Sequence, residues 1–211
     1  MRRLSKGTKP QVLVAHDSEW NAWYVAERHA GRNPRGKWGH EEIRESLHGE
    51  SEGLCAYCES IVTHVAYEHV EHIRPKSKFP ELSHEWSNLT NACPRCNQNK
   101  SDTWFDGEHR LLDPYNDDPT EHLEFVGPLV FARDTSTHGE MTREHIKLDR
   151  GDLTNSRTKR LNSLFPLVQR WQSAEEPLKS TLAMAIREDC NHGEYPTCVA
   201  AFLEHLGLGP V

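Results

Sequence analysis

Several features are missing from this 211-residue chain. No apolar run approaches the roughly 18 residues that a membrane-spanning helix needs, which argues against a spanning protein. The basic opening Met1-Arg2-Arg3 runs into polar residues rather than an apolar stretch, so a secretory leader is not expected and the chain reads as cytoplasmic. There is no internal repeat and no low-complexity tract. The length then fits one domain of ordinary size or two small ones. A basic surplus is missing too: 25 Lys+Arg stand against 32 Asp+Glu, a formal net charge of −7. Phosphate binding usually shows as a basic excess, so the total charge by itself argues against a nucleic-acid partner.

What the chain does hold is 14 histidines and six cysteines, a large stock of metal-capable and proton-carrying side chains. Four of the cysteines form Cys55-x-x-Cys58 and Cys93-x-x-Cys96, with 34 residues between the pairs. Stable disulfides are disfavoured in the cytosol, so paired CxxC units point to metal. Zn²⁺ is tetrahedral, and two residues between thiolates let each pair present two sulfurs at about 2.3 Å. A closed four-sulfur shell leaves no position for water and implies a structural ion. The rival set, Cys55 and Cys58 with His69 and His72, has too short a His-x-x-His spacing and strands the second pair. Cys190 and Cys198 read as small buried hydrophobes.

Around this segment the pattern is helical. A helix is expected from about Ser18 to Ala30, capped by Asp17, with Trp20, Trp23 and Tyr24 on one face. A second is expected from about His40 to His48, with Ile43 and Leu47 paired. The first nine residues hold Arg2, Arg3, Lys6 and Lys9 and no acid, and read as a mobile basic arm. A β-branched run (Ile61, Val62, Thr63, Val65, Val70) follows the first cysteine pair. The last third is helical, with Leu153, Leu161, Leu164, Phe165 and Val168 near one face and Pro166 expected to kink or interrupt it. Pro177 and Pro196 suit the first turns of two further helices, the second carrying Val199, Phe202, Leu203 and Leu206.

Between the cysteine pairs lie Glu71-His72-Ile73-Arg74-Pro75-Lys76-Ser77 and Trp86-Ser87-Asn88-Leu89-Thr90. The second pair runs on into Asn97-Gln98-Asn99-Lys100-Ser101-Asp102. Phosphodiester hydrolysis needs a base to activate water, and a His such as His72 titrates near neutrality. It also needs a hard cation on the phosphate, for which Glu71 and Asn97 offer oxygen ligands. An oxygen-rich pair favours Mg²⁺ or Mn²⁺ over zinc. Neighbours on a strand point to opposite sides, so Glu71 and His72 share a site only if the chain bends there, as Pro75 suggests. Lys100 either reaches a substrate phosphate or is solvated.

These residues resemble a known family. Glu71-His72-Ile73-x-Pro75, Asn88 and Cys93-x-x-Cys96-Asn97-x-x-Lys100 look like the three segments of an HNH endonuclease. Gly53-Leu54-Cys55-Ala56-Tyr57-Cys58-Glu59 and Leu111-Leu112-Asp113-Pro114-Tyr115 sharpen the likeness, toward the HNH proteins linked to retrons and to the two-gene Septu anti-phage systems. The resemblance implies an α+β fold: a small ββα-metal (HNH) core with a four-cysteine zinc site, wrapped by N- and C-terminal helices. It divides the chain into a helical segment 1–50, a nuclease core 51–105, and an acidic loop region with a helical part 106–211. It implies His72 as general base, Glu71 and Asn97 as ligands of the catalytic cation, and Asn88 as the residue that holds the loop and orients His72. Family members often carry Asp where Glu71 stands and His where Asn97 stands; the Asn form occurs in the HNH domains of RNA-guided DNA nucleases. It also implies a nucleic-acid substrate, DNA favoured over RNA, an ABC-type ATPase partner and a retron in some systems; the composition, separately, points to no membrane partner.

Two other functions compete. A zinc-ribbon binding module accounts for the cysteines but not for Glu71, His72, Asn88 and Asn97 between them. A toxin-like ribonuclease cutting RNA such as tRNA uses the same chemistry. The charge, finally, is uneven. Arg143 to Arg160 holds six basic residues (Arg143, Lys147, Arg150, Arg157, Lys159, Arg160) against three acids, while Asp113 to Glu124 holds five acids and no base. The basic arm and this run are expected to be the cationic surfaces. A net-acidic nuclease is expected to bind nucleic acid weakly alone and to depend on its partner.

Overall fold

The structure is a computed structural model that describes residues 1–62 and 69–208. Of the expected β-branched run, Thr63 and Val65 lie outside the described residues, as does His64.

The first helix, α1 (Gln11–His29), starts well before Ser18. Pro10, not Asp17, stands at its N-cap, where a fixed φ favours entry into a helix and no N–H is needed. Asp17 instead lies within the helix and pairs with Lys9. The face that α1 buries carries Leu13 and Tyr24, three turns apart; Trp23 is 38% exposed and Trp20 half-buried. Helix α2 (Glu41–Ser51) buries Ile43 and Leu47 as expected. Leu13, Ile43, Leu47, Trp86 and Leu89 form one apolar cluster, which fastens both helices to the strand that contains Leu89.

That strand belongs to the centre of the molecule. Strands β1 (His69–His72) and β2 (Leu89–Ala92) pair antiparallel, with His69 opposite Ala92 and His72 opposite Leu89. Helix α3 (Pro94–Lys100) follows directly, with Pro at its first turn and the Cys93 sulfur accepting the Cys96 N–H. Two strands and a helix of this kind make the ββα unit of the expected α+β fold. Beyond it come a hairpin of β3 (Leu123–Val126) and β4 (Leu129–Ala132), then helices α4 (Thr137–Ile146), α5 (Gly151–Ser173), α6 (Leu178–His192) and α7 (Pro196–His205). The larger core joins Cys55, Tyr57 and Ala92 to Leu112, Ile146, Leu161, Val199 and Leu203. Among the described residues, no helix is long and apolar enough to cross a membrane.

Three expectations are corrected. Pro166 does not interrupt α5, which runs continuously past it. Pro166 lies on the exposed side together with Phe165, which does not share the apolar face expected of it, while Leu161, Leu164 and Val168 pack on the other, so the carbonyl that Pro166 frees meets water and the buried face is unbroken. The basic arm is not mobile. Leu4 is buried and its N–H bonds the Pro114 carbonyl at 2.7 Å. Lys6 donates to the Leu89 carbonyl (2.7 Å) and to Glu50 (3.0 Å), and its ammonium stands 3.8 Å from the centre of the Trp86 ring. The basic run 143–160 is largely internal: Arg143 pairs with Glu140 and Asp149, Arg160 pairs with Asp189, and Arg157 is buried against the Leu148 carbonyl (2.9 Å). Lys147 and Lys159 remain exposed, so only part of the run faces solvent.

Candidate functional site

The Sγ atoms of Cys55, Cys58, Cys93 and Cys96 all lie within 4.8 Å of one another. Four sulfurs at about 2.3 Å from a tetrahedral zinc are about 3.8 Å apart, and the Cys58 and Cys93 sulfurs are 3.8 Å apart. The donor set and its spacing therefore fit a closed structural zinc centre. A Zn²⁺ with four thiolates carries two excess negative charges. Arg150 partly offsets them by donating from Nη1 to the Cys96 sulfur (3.6 Å). Burial works to lower the Arg150 pKa, but the Cys96 and Cys58 sulfurs outweigh it and raise the net value. Sequence reasoning placed Arg150 in a surface patch, and no local motif marks it otherwise. Cys190 and Cys198 stand apart, buried in α6 and α7.

Glu71 and His72 close β1, and the chain bends immediately after them. Both line one open cavity of about 360 Å³, together with Asn97 and Ser101 and with Arg28, Asn33 and Lys76. His72 is 2% exposed. Its Nε2 lies 2.9 Å from the Ser83 carbonyl oxygen. A carbonyl only accepts, so Nε2 carries the proton and donates. Nδ1 is then a bare lone pair, buried and without a hydrogen-bond partner. Burial, reinforced by the positive charge of Lys76, pushes the His72 pKa down to about 3, so the ring is a neutral acceptor.

Asn88 stitches the loop that supplies that carbonyl. Its Oδ1 accepts the Arg74 N–H (2.7 Å), and its Nδ2 donates to the carbonyls of Arg74 (3.0 Å) and Leu82 (3.1 Å). Asn97, at the cavity wall on α3, donates from Nδ2 to His69 Nδ1 (3.0 Å), which leaves its Oδ1 available as a ligand. Glu71 offers a second oxygen. Its Oε1 accepts from Lys100 Nζ at 2.6 Å, in a pair that is almost wholly buried. Burial raises the Glu71 pKa, and the Lys100 ammonium opposes that shift. Lys100 itself is neither solvated nor extended toward the cavity: its ammonium also donates to the His72 carbonyl (2.8 Å). It joins the end of α3 to the end of β1.

Four residues near His72 were not found from sequence. Trp38 meets the His72 ring edge-on, with ring centres 4.8 Å apart. Ser83 gives the carbonyl, and Asn21 of α1 accepts from both the Ser83 hydroxyl (3.1 Å) and the His84 N–H (2.7 Å). His84 is fully buried; its Nδ1 contacts the Ser83 hydroxyl (3.0 Å) and its Nε2 accepts the Lys37 N–H (3.0 Å). With the Ser83 hydroxyl donating to Asn21, His84 Nδ1 is the donor and the ring is neutral. The contacts of Trp38, Asn21 and Lys37 span long sequence separations, and only the Ser83-His84 dipeptide sits near enough to the motif to draw attention.

Comparison with known proteins agrees with this geometry. Residues 55–103 match the family model of HNH endonucleases. The chain is 33% identical over 149 residues to the Septu protein PtuB of Bacillus mycoides (strain KBAB4), covering 56% of this chain and 50% of that protein. It is 26% identical over 153 residues to the Septu protein PtuB of Bacillus thuringiensis, covering 72% of this chain and 56% of that one. The chain thus spans little more than half the length of these curated relatives.

Proposed function

With residues 55–103 forming an HNH endonuclease domain, we propose that the chain is a metal-dependent endonuclease that hydrolyses phosphodiester bonds, in DNA, as an effector of anti-phage defence. The observation that carries the chemistry is the unpartnered Nδ1 of His72 beside the oxygens of Glu71 and Asn97. His72 is the general base: the Ser83 carbonyl fixes its tautomer, and Nδ1 accepts the proton of the attacking water. Asn88 is a positioning residue, since its hydrogen bonds tie the Leu82 carbonyl, next to Ser83, to the Arg74 backbone just after His72. Glu71 and Asn97 hold the catalytic cation, and their oxygens suit Mg²⁺ or Mn²⁺. That cation supplies neutralisation of charge on the phosphate and on the leaving 3′ oxygen. The products carry 5′-phosphate and 3′-hydroxyl ends. Lys100 pairs with Glu71 and holds it in place rather than touching substrate.

The same reading takes 51–105 as the nuclease core, with 1–50 and 106–211 as flanking parts. It places the protein in the cytoplasm, acting with an ABC-type ATPase as a two-gene Septu system does, with a retron as a further component in some systems. The test is cleavage of labelled duplex DNA and tRNA by the purified chain, with and without its ATPase and with Mg²⁺ or Mn²⁺. DNA cleavage that falls about 10²- to 10⁴-fold in His72→Ala, with the four-cysteine centre still loaded with zinc, supports it. Undiminished cleavage by His72→Ala overturns the assignment of the base. Cleavage of tRNA alone replaces DNA with RNA as substrate.

A further inference from the structure

The segment from Arg28 to His40 lies outside the residues that match the HNH family, and it contains four Arg/Lys, two His and no acidic residue. It leaves the end of α1 and passes along the site. Arg28 and Asn33 form part of the His72 cavity, opposite Lys76 of the nuclease loop. Arg35 and Lys37 line a second open cavity of about 490 Å³, whose wall includes the Trp20 indole. Trp38 joins the two. Its ring packs on His72 and stands 5.4 Å from His84 between centres, while the Lys76 ammonium lies 5.2 Å from its centre. Gly36 passes so close to this indole that a Cβ there would come within 1.8 Å of it. The Lys37 N–H is held by His84. The strip is therefore fixed relative to the general base.

Its charges are also uncommitted. Arg32 is taken by Glu27, but Arg35, Lys37 and Lys76 form no ion pair among the described residues. This contrasts with the N-terminal segment and the 143–160 run, where carboxylates and carbonyls consume most of the cations. Burial pulls the Lys76 ammonium below its ordinary pKa, and an arriving anion would reverse that shift.

We propose that the 28–40 segment, together with Lys76, is a track for the phosphodiester backbone that carries the strand across His72, with Arg35 and Lys37 contacting phosphates outside the scissile one. This rests on the nuclease reading for the identity of the substrate, but binding can be read without cleavage. The probe is the full-length His72→Ala protein with duplex DNA, single-stranded DNA and RNA of one sequence, each titrated between 50 and 200 mM salt. Adding Arg35→Ala and Lys37→Ala weakens binding about tenfold and flattens the log Kd against log salt plot by about 1.8 on duplex, since each lost contact removes about 0.9. Lys159→Ala with Arg170→Ala, two exposed bases on α5, removes the same charge and leaves the slope unchanged. Arg35→Gln with Lys37→Gln repeats the test if the alanine pair folds poorly.

The arm that the parental protein binds most tightly at a given salt concentration identifies the strand type. An unmoved slope, an equal loss in the α5 control, or no binding to any arm overturns the track. A flattened slope in a protein whose wild type cuts nothing keeps the track and removes the nuclease reading. Cleavage with an unmoved slope does the reverse.

Discussion

Lys100 is the residue at which sequence and structure diverge most usefully. Its buried ammonium is paired with Glu71 and with the His72 carbonyl, so truncating it strands a carboxylate in the interior. Breaking a buried pair from one side costs about 3–5 kcal/mol. Lys100→Ala is therefore expected to lose several kcal/mol in denaturant unfolding; a phosphate-contacting lysine would weaken substrate binding and leave stability alone. His84 makes a second residue-level prediction. Burial holds its pKa near about 4 against an ordinary value near 6.5. Between those values the unfolded chain binds a proton that the folded chain does not. Stability contributed by the neutral ring is thus complete above about pH 6.5 and falls by about 1.4 kcal/mol per pH unit below it. His84→Asn should shallow the acid limb of a stability–pH curve; an unchanged limb would show that other groups set it.

At the scale of elements, the zinc centre and the candidate active site share a helix. Cys96, Asn97 and Lys100 follow one another on α3, and the Cys93 sulfur caps its first turn. Chelating the zinc should therefore remove metal-dependent activity and expose all four thiols to a thiol reagent together, an outcome that a zinc-independent fold would not give. These elements were the legible part of the sequence. CxxC spacing encodes a local tetrahedral donor set, and the short distance from Cys96 to Asn97 carries the second site with it. The Pro-rich helix starts were legible for the same reason, as with Pro196 at the head of α7. Illegible were Trp38, Asn21 and Arg150, because each reaches its partner through tertiary packing that leaves no periodic or spaced signal. The start of α1 was misread because Asp17, a good cap by type, was already engaged by Lys9 inside the helix.

For the whole molecule, net charge proves less informative than its placement. The N-terminal segment is part of the body: Leu4 is buried and Lys6 reaches across to β2. Leu4→Ala should cost about 2–5 kcal/mol of unfolding free energy, as for other buried leucines, whereas a free arm would register nothing. With a net charge of −7 and many of its cations held in ion pairs, the isolated chain has no overall cationic surplus to draw nucleic acid. Its affinity should fall in the weak, salt-sensitive range, with Kd about 10⁻⁴–10⁻⁶ M. Tight binding at physiological salt would show a cationic surface other than the one described.

The shared helix α3 also sets an order of events during synthesis. Cys55 and Cys58 leave the ribosome first, yet their tetrahedron closes only when Cys93 and Cys96 follow, and Asn97 and Lys100 emerge in the next few residues. The candidate site thus becomes complete only after the last residues of the four-cysteine centre have been made. On the proposed reading, a chain that lacks its zinc would also lack the ordered start of α3 that carries Asn97 and Lys100, so metal capture and assembly of the candidate site would be coupled.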